Sequence, residues 1–161
     1  MPNGERLRAG VVGTGHMGQY HVLVYAELAD AALVGVADID ADRAKSVASR
    51  YETEAFSDHR DLIGRVDVAS VAVPTEQHFH VARDLLEAGI SVLVEKPMTP
   101  TLEEARELFA VARRAERSCT SATSSASTAR WTSSSRSCRP RCWWSRGASG
   151  RSCRACRRTR W

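Results

Sequence analysis

The triplet Glu95-Lys96-Pro97 holds the side chains of this sequence that are best suited to proton transfer. It directly follows the apolar run "ISVLV", which predicts a buried strand. A lysine beside a partly dry cleft has a lowered pKa and can exchange a proton with a substrate, and Pro97 would fix the turn that directs Lys96. Taken alone, the triplet is also compatible with a surface Glu–Lys pair at a strand end.

A second group of residues is typical of phosphate binding. Gly13, Gly15 and Gly18 form a G-x-G-x-x-G pattern between an apolar run and a helical pattern. The first glycine permits a tight turn, the second lets the backbone approach a pyrophosphate, and the third lets helix and strand pack closely. The start of the helix offers free N–H groups to the phosphates. The pattern predicts a dinucleotide site formed by Gly13, Thr14, Gly15, His16, Met17 and Gly18.

An acidic residue stands where such a site needs one. Asp38 lies 20 residues beyond Gly18, at the end of the next apolar run. Its carboxylate can accept both hydroxyls of an adenosine ribose, and it would repel a 2′-phosphate. Ile39 follows at a place where an arginine would favour that phosphate. We therefore expect NAD, with NADP less favoured; the alternative is a glycine-rich turn followed by a solvated aspartate.

A third group follows the apolar run "VDVASVA". Val73, Pro74 and Thr75 lie at the carboxyl end of this predicted strand, where open α/β sheets bind ligands. His78 and His80 come just beyond. For His78 a role at the ligand and a place on a partly exposed helix face both remain open. For His80 the partly exposed helix residue is the favoured interpretation.

Strands that alternate with helices position these residues. The alternation predicts an α/β fold with a doubly wound parallel sheet, the Rossmann arrangement. The near-continuous apolar strands agree, because a central parallel strand is buried on both faces. Thr75 is expected to cap the third helix and Gly89 to end it, and a threonine starts the helix "TPTLEEARELFAVARRAER". Apolar residues recur at helical spacing in the first helix at Met17, Tyr20, Val24 and Leu28, and in the second helix Ala44, Val47 and Ala48 are expected to face inward.

Charge and cysteine divide the chain into two unequal parts. Residues 1–117 hold 13 Lys and Arg, all 19 acids and no cysteine, for a net charge of −6. Residues 118–161 hold 10 Arg, all five cysteines and no acid, so the total of +4 describes neither part. The cysteine-free part suits a reducing cytoplasm, and we expect neither a signal peptide nor a membrane span.

The quoted segments together resemble one known family. "GVVGTGHMGQYH", "VADID" and "AVPTEQHFHVARDLLEAGISVLVEKPMTPTLEEA" are similar, in this order, to the Gfo/Idh/MocA family of NAD(P)-dependent oxidoreductases over about residues 7–117. Within this family, the segments are most similar to those of UDP-N-acetylglucosamine 3-dehydrogenases and related sugar oxidoreductases. The resemblance implies that Val73, Pro74, Thr75 and His78 border the cofactor, that Glu95 contacts it, and that Lys96 contacts both the cofactor and a sugar or nucleotide-sugar substrate. It also implies a second, mostly β domain that completes the acid–base pair, which these 161 residues do not include.

Residues 118–161 allow three interpretations. A disordered basic arm would bind nucleic acid electrostatically. A small zinc module would use Cys138, Cys142, Cys153 and Cys156, although the segment has no Leu, Ile, Val, Met or Phe to build a core. If the coding frame has shifted, the segment is not a product of selection, and it would bind nucleic acid adventitiously at most.

The reading-frame hypothesis can be examined from the residues. GC-rich codons for Ser118–Trp131, read from the third base, give "LHVGHVERFNGAV", which resembles the next strand and turn of the same family. Cys and Trp codons begin with TG, and a shifted xTG codon encodes Leu, Val or Met. We therefore expect a Rossmann domain over 1–117 and a disordered, out-of-frame tail over 118–161. The sheet would end at "ISVLV" with an exposed edge, oligomers would not form, NAD affinity would be weak and sugar would not turn over.

Overall fold

The computed structural model describes residues 6–122. Strands and helices alternate along them in a regular order. The elements are β1 (Leu7–Val12), α1 (His16–Glu27), β2 (Ala31–Ala37), α2 (Ala41–Tyr51), β3 (Glu54–Phe56), a 3₁₀ helix (His59–Leu62), β4 (Val68–Val71), α3 (Thr75–Glu87), β5 (Ser91–Val94), α4 (Leu102–Arg114) and β6 (Cys119–Ser121).

The strands form one parallel sheet in the order β3-β2-β1-β4-β5-β6. This is the doubly wound Rossmann order, which confirms the predicted fold class. The order reverses between β1 and β4, and the register aligns the last residues of the central strands, with Val12 opposite both Ala37 and Val71, and Val71 opposite Val94. The segments that follow these strands therefore meet at one edge of the sheet, beside the crevice where such folds bind ligands.

Apolar clusters cover both faces of the sheet. One lies beneath α3 and α4 and includes Leu85 and Leu108, both fully buried. The other lies beneath α1 and α2 and includes Val22 and Val47. The prediction that Ala44, Val47 and Ala48 form the inner face of α2 is confirmed, since all three are buried.

In α1 the apolar residues at helical spacing do not form the buried face. Met17, Tyr20 and Val24 are each more than 40 % exposed. The buried positions are instead Gly18, Val22 and Tyr25. The reason is the close approach of Gly18 to the backbone of the preceding turn, which directs that side of the helix inward.

The ends of the helices show which caps the sequence determines. Thr101 caps α4, and Glu104 completes a capping box, as the threonine start predicts. Gly89 follows the end of α3 with a φ of +81°, which agrees with its predicted role. The cap expected from Thr75 is wrong: Pro74 holds the cap position without a side-chain hydrogen bond, and Thr75 is the first helical residue.

The expectation that the sheet ends at β5 is also wrong. Cys119–Ser121 form β6, whose residues pair with Val92, Leu93 and Val94 of β5. The Val92 N–H donates to the Ser118 carbonyl at 2.8 Å, and the Ala122 N–H donates to the Val94 carbonyl at 2.8 Å. Pairing of this kind uses the backbone alone, so a strand of Cys, Thr and Ser can form it.

The predicted start of disorder at residue 118 is wrong, because β6 lies within the predicted tail. From residue 123 onward the features predicted for the tail lie outside the described residues, including the basic arm and the zinc cysteines from Cys138 onward. Cys119 is within the described part, where burial raises the pKa of its thiol to about 11. Residues 6–122 contain no cluster of three side chains able to hold a metal ion and no helix with the length and apolar character of a membrane span.

Candidate dinucleotide-binding site

The turn after β1 depends on two of its glycines for its shape. Gly13 has a φ of +88°, and a Cβ there would lie 2.5 Å from the Ala72 carbonyl oxygen. A Cβ at Gly18 would overlap the carbonyl oxygen of Gly13. The Gly13 N–H donates to the Ala37 carbonyl at 2.8 Å, which fixes the turn against β2. The first and third glycines of the pattern thus have the structural roles that the sequence predicts.

The second glycine has a different surrounding. A Cβ at Gly15 would meet no atom within 4 Å, so the space above it is open. Gly15 is also the cap residue of α1, which has neither a side-chain cap bond nor an acidic residue in its first turn. The first N–H groups of a helix have no partner within the helix. This open, uncapped helix start fits an anionic group such as a pyrophosphate.

Asp38 directly follows β2 and has a carboxylate that is only 4 % exposed. Its Oδ2 accepts hydrogen bonds from the backbone N–H of Thr14 at 2.7 Å and from the Thr14 hydroxyl at 2.8 Å. Its Oδ1 accepts a bond from the backbone N–H of Asp40 at 3.0 Å. Thr14, which we predicted to bind the cofactor, is itself fully buried and bonds to this carboxylate. Its geometry therefore supports a role in positioning Asp38.

Arg43 completes the surroundings of Asp38. Its Nε donates to Oδ2 at 3.1 Å and its Nη2 donates to Oδ1 at 2.8 Å, a two-pronged ion pair. Burial opposes ionisation of Asp38, but the bonds from Arg43, Asp40 and Thr14 outweigh it and hold the pKa of the carboxyl well below its ordinary value. Sequence reasoning missed Arg43. Its position in the first turn of α2, five residues after Asp38, is the signal that could have found it.

A cleft of about 960 Å³ opens along these residues. Its volume lies in the range of small-molecule and cofactor sites. Gly15 and Asp38 line it, and Ile39, 94 % exposed, stands on the same wall. Val73 and Pro74, both predicted to border the cofactor, line it from the end of β4. Further lining residues are His16, Met17, Ser57, Arg60 and Gln77.

The two histidines of α3 differ in burial: His78 is not the partly exposed residue that one interpretation expected, and His80 is exposed on its helix, as favoured. His78 is 1 % exposed, and its ring nitrogens lie 2.9 Å from the Pro97 carbonyl and 2.8 Å from the Val73 carbonyl. It thus connects the segments that follow β4 and β5 and does not line the cleft. His80, expected to be an ordinary surface residue, does line it.

The end of β5 has its own buried carboxylate. Glu95 accepts a bond at Oε2 from the Lys96 N–H at 3.1 Å, and its Oε1 lies 2.7 Å from Nε2 of His21. Burial opposes ionisation of Glu95, but these contacts outweigh it and lower the pKa of the carboxyl. Lys96 is exposed and precedes Pro97 through a cis peptide bond. His21 was not predicted as a site residue, because its contact with Glu95 spans 74 positions of the chain.

The glycine turn, the open helix start, the buried Asp38 and the adjoining cleft define a dinucleotide-binding domain. Residues 7–123 match the model of the oxidoreductase family Gfo/Idh/MocA, in the part described as its NAD-binding Rossmann fold. The chain therefore belongs to the Gfo/Idh/MocA oxidoreductase family.

Several characterised proteins share this domain. A UDP-N-acetylglucosamine 3-dehydrogenase of Acidithiobacillus ferrooxidans is 40 % identical over 107 residues, which are 66 % of this chain and 34 % of that protein. The solved structure of GenD2 from gentamicin A biosynthesis, in complex with NAD, is 30 % identical with a TM-score of 0.71 and covers 75 % of this chain and 36 % of its own. The 3-ketoreductase KijD10 of Actinomadura kijaniata, in complex with TDP-benzene and NADP, is 28 % identical with a TM-score of 0.69 and covers 73 % and 38 %. The chain thus spans about a third of the length of these relatives.

Proposed function

We propose that this chain is the cofactor-binding part of a sugar or nucleotide-sugar dehydrogenase and that it binds NAD. The observation that carries the proposal is the buried, ionised carboxylate of Asp38 beside a cleft that begins at an open helix start. The relatives named above include one sugar-nucleotide dehydrogenase and one NAD complex, which support the class of substrate and cofactor.

The cleft suggests how the chain would hold the dinucleotide. The pyrophosphate would lie over Gly15, against the first N–H groups of α1 at His16 and Met17. The adenosine ribose would bond to Asp38, with Ile39 and Pro74 on the two sides of the adenine. This placement uses every feature of the glycine pattern, and it gives the exposed apolar side chain of Ile39 a function.

At the other end of the same sheet edge, Glu95 and Lys96 would serve the reacting groups. When bound, the nicotinamide exchanges a hydride with a carbon of the substrate. Within this chain, Lys96 would hold or move the proton of the substrate hydroxyl at its Nζ atom, and Glu95, fixed by His21, would position the segment that carries Lys96. The 161 residues, tested as they stand, are expected to bind cofactor without turning over sugar.

Isothermal titration of the full 161-residue chain with NAD tests the proposal. The matched variant is Gly15→Ala, because its added Cβ meets no protein atom and enters only the space assigned to the pyrophosphate. We expect a chain that still folds, with a small loss of stability because alanine is a poorer N-cap than glycine. The affinity should fall at least about tenfold, the loss that corresponds to about 1.4 kcal/mol. Asp42→Ala, an exposed acid on the first turn of α2, is the control that should bind like the unmodified chain. Equal affinity of all three proteins would refute the site.

We also infer that the segment from residue 118 onward is read out of frame, in a protein of the reducing cytoplasm. The support is its residue composition and the family-like sequence that its shifted codons can encode. Independent nucleotide sequences across codons 115–125 test this directly. A gained or lost base in the independent sequences would establish the slip, and the same frame in every one would refute it.

A further inference from the structure

Arg43 occupies the side of Asp38 that a ribose would need. Its guanidinium bonds to both carboxylate oxygens of Asp38, yet its side chain is 45 % exposed and lines the cleft. Among residues 6–122, the other acid beside it is Asp40, whose Oδ2 lies 4.0 Å from Nη1 of Arg43. The exposed guanidinium of Arg43 therefore occupies the side of the Asp38 carboxylate at which the ribose would bind.

The hydrogen bonds of Asp38 leave no room for a ribose while Arg43 stays in place. Oδ2 accepts three bonds, two from Thr14 and one from Arg43, and Oδ1 accepts two, from Asp40 and Arg43. A carboxylate has about four lone-pair sites in all. If the guanidinium moves away, three bonds remain, two from Thr14 on Oδ2 and one from Asp40 on Oδ1, so the carboxylate regains room for the ribose on Oδ1.

The displaced guanidinium stays beside the ribose and keeps its charge. Asp38 remains satisfied without it, because the bonds from Thr14 and from the Asp40 N–H are contributed by buried or backbone groups. A 2′-phosphate would meet both the carboxylate of Asp38, which repels it, and the planar fork of Arg43, which binds phosphate through two hydrogen bonds. The expected rejection of NADP by Asp38 is thereby opposed by a neighbour on the same wall.

We propose that Arg43 sets the choice between the two cofactors and that this chain binds both NAD and NADP, with less than about a tenfold preference for NAD. The inference rests on the proposed function and assigns to Arg43 the 2′-phosphate of the adenosine ribose. It corrects the expectation from Ile39, because the arginine that the sequence lacks directly after Asp38 comes five positions later, in the first turn of α2.

Arg60 provides a matched control. It lines the same cleft and is exposed, but its guanidinium bonds to Asp84 of α3 at 2.9 Å and not to the carboxylate of Asp38. Arg43→Gln and Arg60→Gln remove the same charge from the same cleft. The many arginines of residues 118–161 are identical in every variant, so their attraction for phosphate cancels in a ratio of affinities.

The experiment is a titration of the full chain and both variants with NADH and with NADPH, followed by nucleotide fluorescence at one salt concentration. We expect Arg43→Gln to weaken NADPH at least about tenfold, the effect of losing one charge-assisted hydrogen bond, and to leave NADH within about threefold. Arg43→Lys should recover part of the NADPH affinity. Arg60→Gln should change both cofactors by a similar, small factor.

Competition by adenosine 2′,5′-bisphosphate isolates the proposed contact. This compound should displace NADPH from the unmodified chain and lose that ability in Arg43→Gln. An equal effect of Arg43→Gln on NADH and NADPH would overturn the assignment while leaving the dinucleotide site intact. Failure of the unmodified chain to bind either nucleotide would instead refute the proposed function, and this inference with it.

Discussion

Two buried carboxylates at the same edge of the sheet are held in similar ways but by different partners. Asp38 follows β2 and Glu95 follows β5, and each accepts a backbone N–H and contacts a basic side chain from a helix on the same face. The partner of Asp38 is Arg43, whose charge is permanent. The partner of Glu95 is His21, which carries a charge only when it is protonated.

The difference separates the two tasks of the site. The carboxylate that would read the ribose must stay ionised at every physiological pH, and a permanent cation together with three further donors ensures this. The carboxylate of Glu95 lies beside Lys96, to which we assign proton transfer, and its side-chain partner is the imidazole of His21. We call Asp38, whose partner is a permanent cation, the fixed anion, and Glu95, whose partner is an imidazole, the adjustable anion.

The largest effect should follow the loss of the fixed anion. Asp38→Ala leaves the buried N–H and hydroxyl of Thr14 without an acceptor, and we expect it to lower the free energy of unfolding by about 3 kcal/mol. Urea denaturation followed by circular dichroism measures the change. Asp42→Ala is the control and should differ from the unmodified chain by less than about 0.5 kcal/mol. A loss below about 1 kcal/mol for Asp38→Ala would mean that this carboxylate does not organise the turn.

The next largest effect on stability should come from His78, which connects the segments that follow β4 and β5. His78→Leu removes the ring that contacts the Val73 and Pro97 carbonyls and should cost about 2 kcal/mol of unfolding free energy. His80→Leu, on an exposed part of the same helix, should leave the stability nearly unchanged. The same denaturation series measures both, and equal stabilities would contradict the structural role of His78.

The contribution of Glu95, the adjustable anion, to the free energy of unfolding should depend on pH. The pKa of Glu95 is lowered in the folded chain, so its ionisation adds stability above its ordinary pKa of 4.5, and that contribution disappears as the pH falls through the folded value. Glu95→Gln should therefore cost about 1.5 kcal/mol at pH 7 and less at pH 4. His21 and Lys96 are the charged neighbours of Glu95 in this comparison. A cost that is the same at both pH values would show that the charge of Glu95 does not matter.

The smallest effect concerns the helix that presents His21. The Tyr25 hydroxyl lies 3.0 Å from Ser70 Oγ in the core between α1 and β4. Tyr25→Phe should cost about 1 kcal/mol, the value of one buried hydrogen bond. Tyr20→Phe, whose ring is half exposed, should have no measurable effect in the same denaturation assay. Equal stabilities of the two variants would contradict a stabilising role of the hydrogen bond between Tyr25 and Ser70.

The sequence predicts the parts of this fold that depend on local pattern. Apolar runs indicate β1, β2, β4 and β5. The glycine spacing indicates the turn, because a positive φ or a close backbone contact at these positions requires a residue without a Cβ. It does not predict β6, since that strand pairs through the backbone and carries no apolar signal.

The residues of the candidate site show the same distinction between local pattern and long-range contact. Asp38 and Gly15 are predictable from spacing alone, whereas Arg43 and His21 act through contacts that only the folded chain creates. The place of His78 also stayed open in the sequence, although the structure buries it. Here a signal was available, because His78 shares its helical face with the buried Ala82 and Leu85, four and seven residues further on.

A crystal structure of the full chain with NADH tests the central claim most directly. The account predicts the pyrophosphate over Gly15 and both adenosine ribose hydroxyls within hydrogen-bonding distance of Asp38, with the guanidinium of Arg43 moved off that carboxylate. A nucleotide bound elsewhere, or bound in this cleft while Arg43 still holds both oxygens of Asp38, would contradict it.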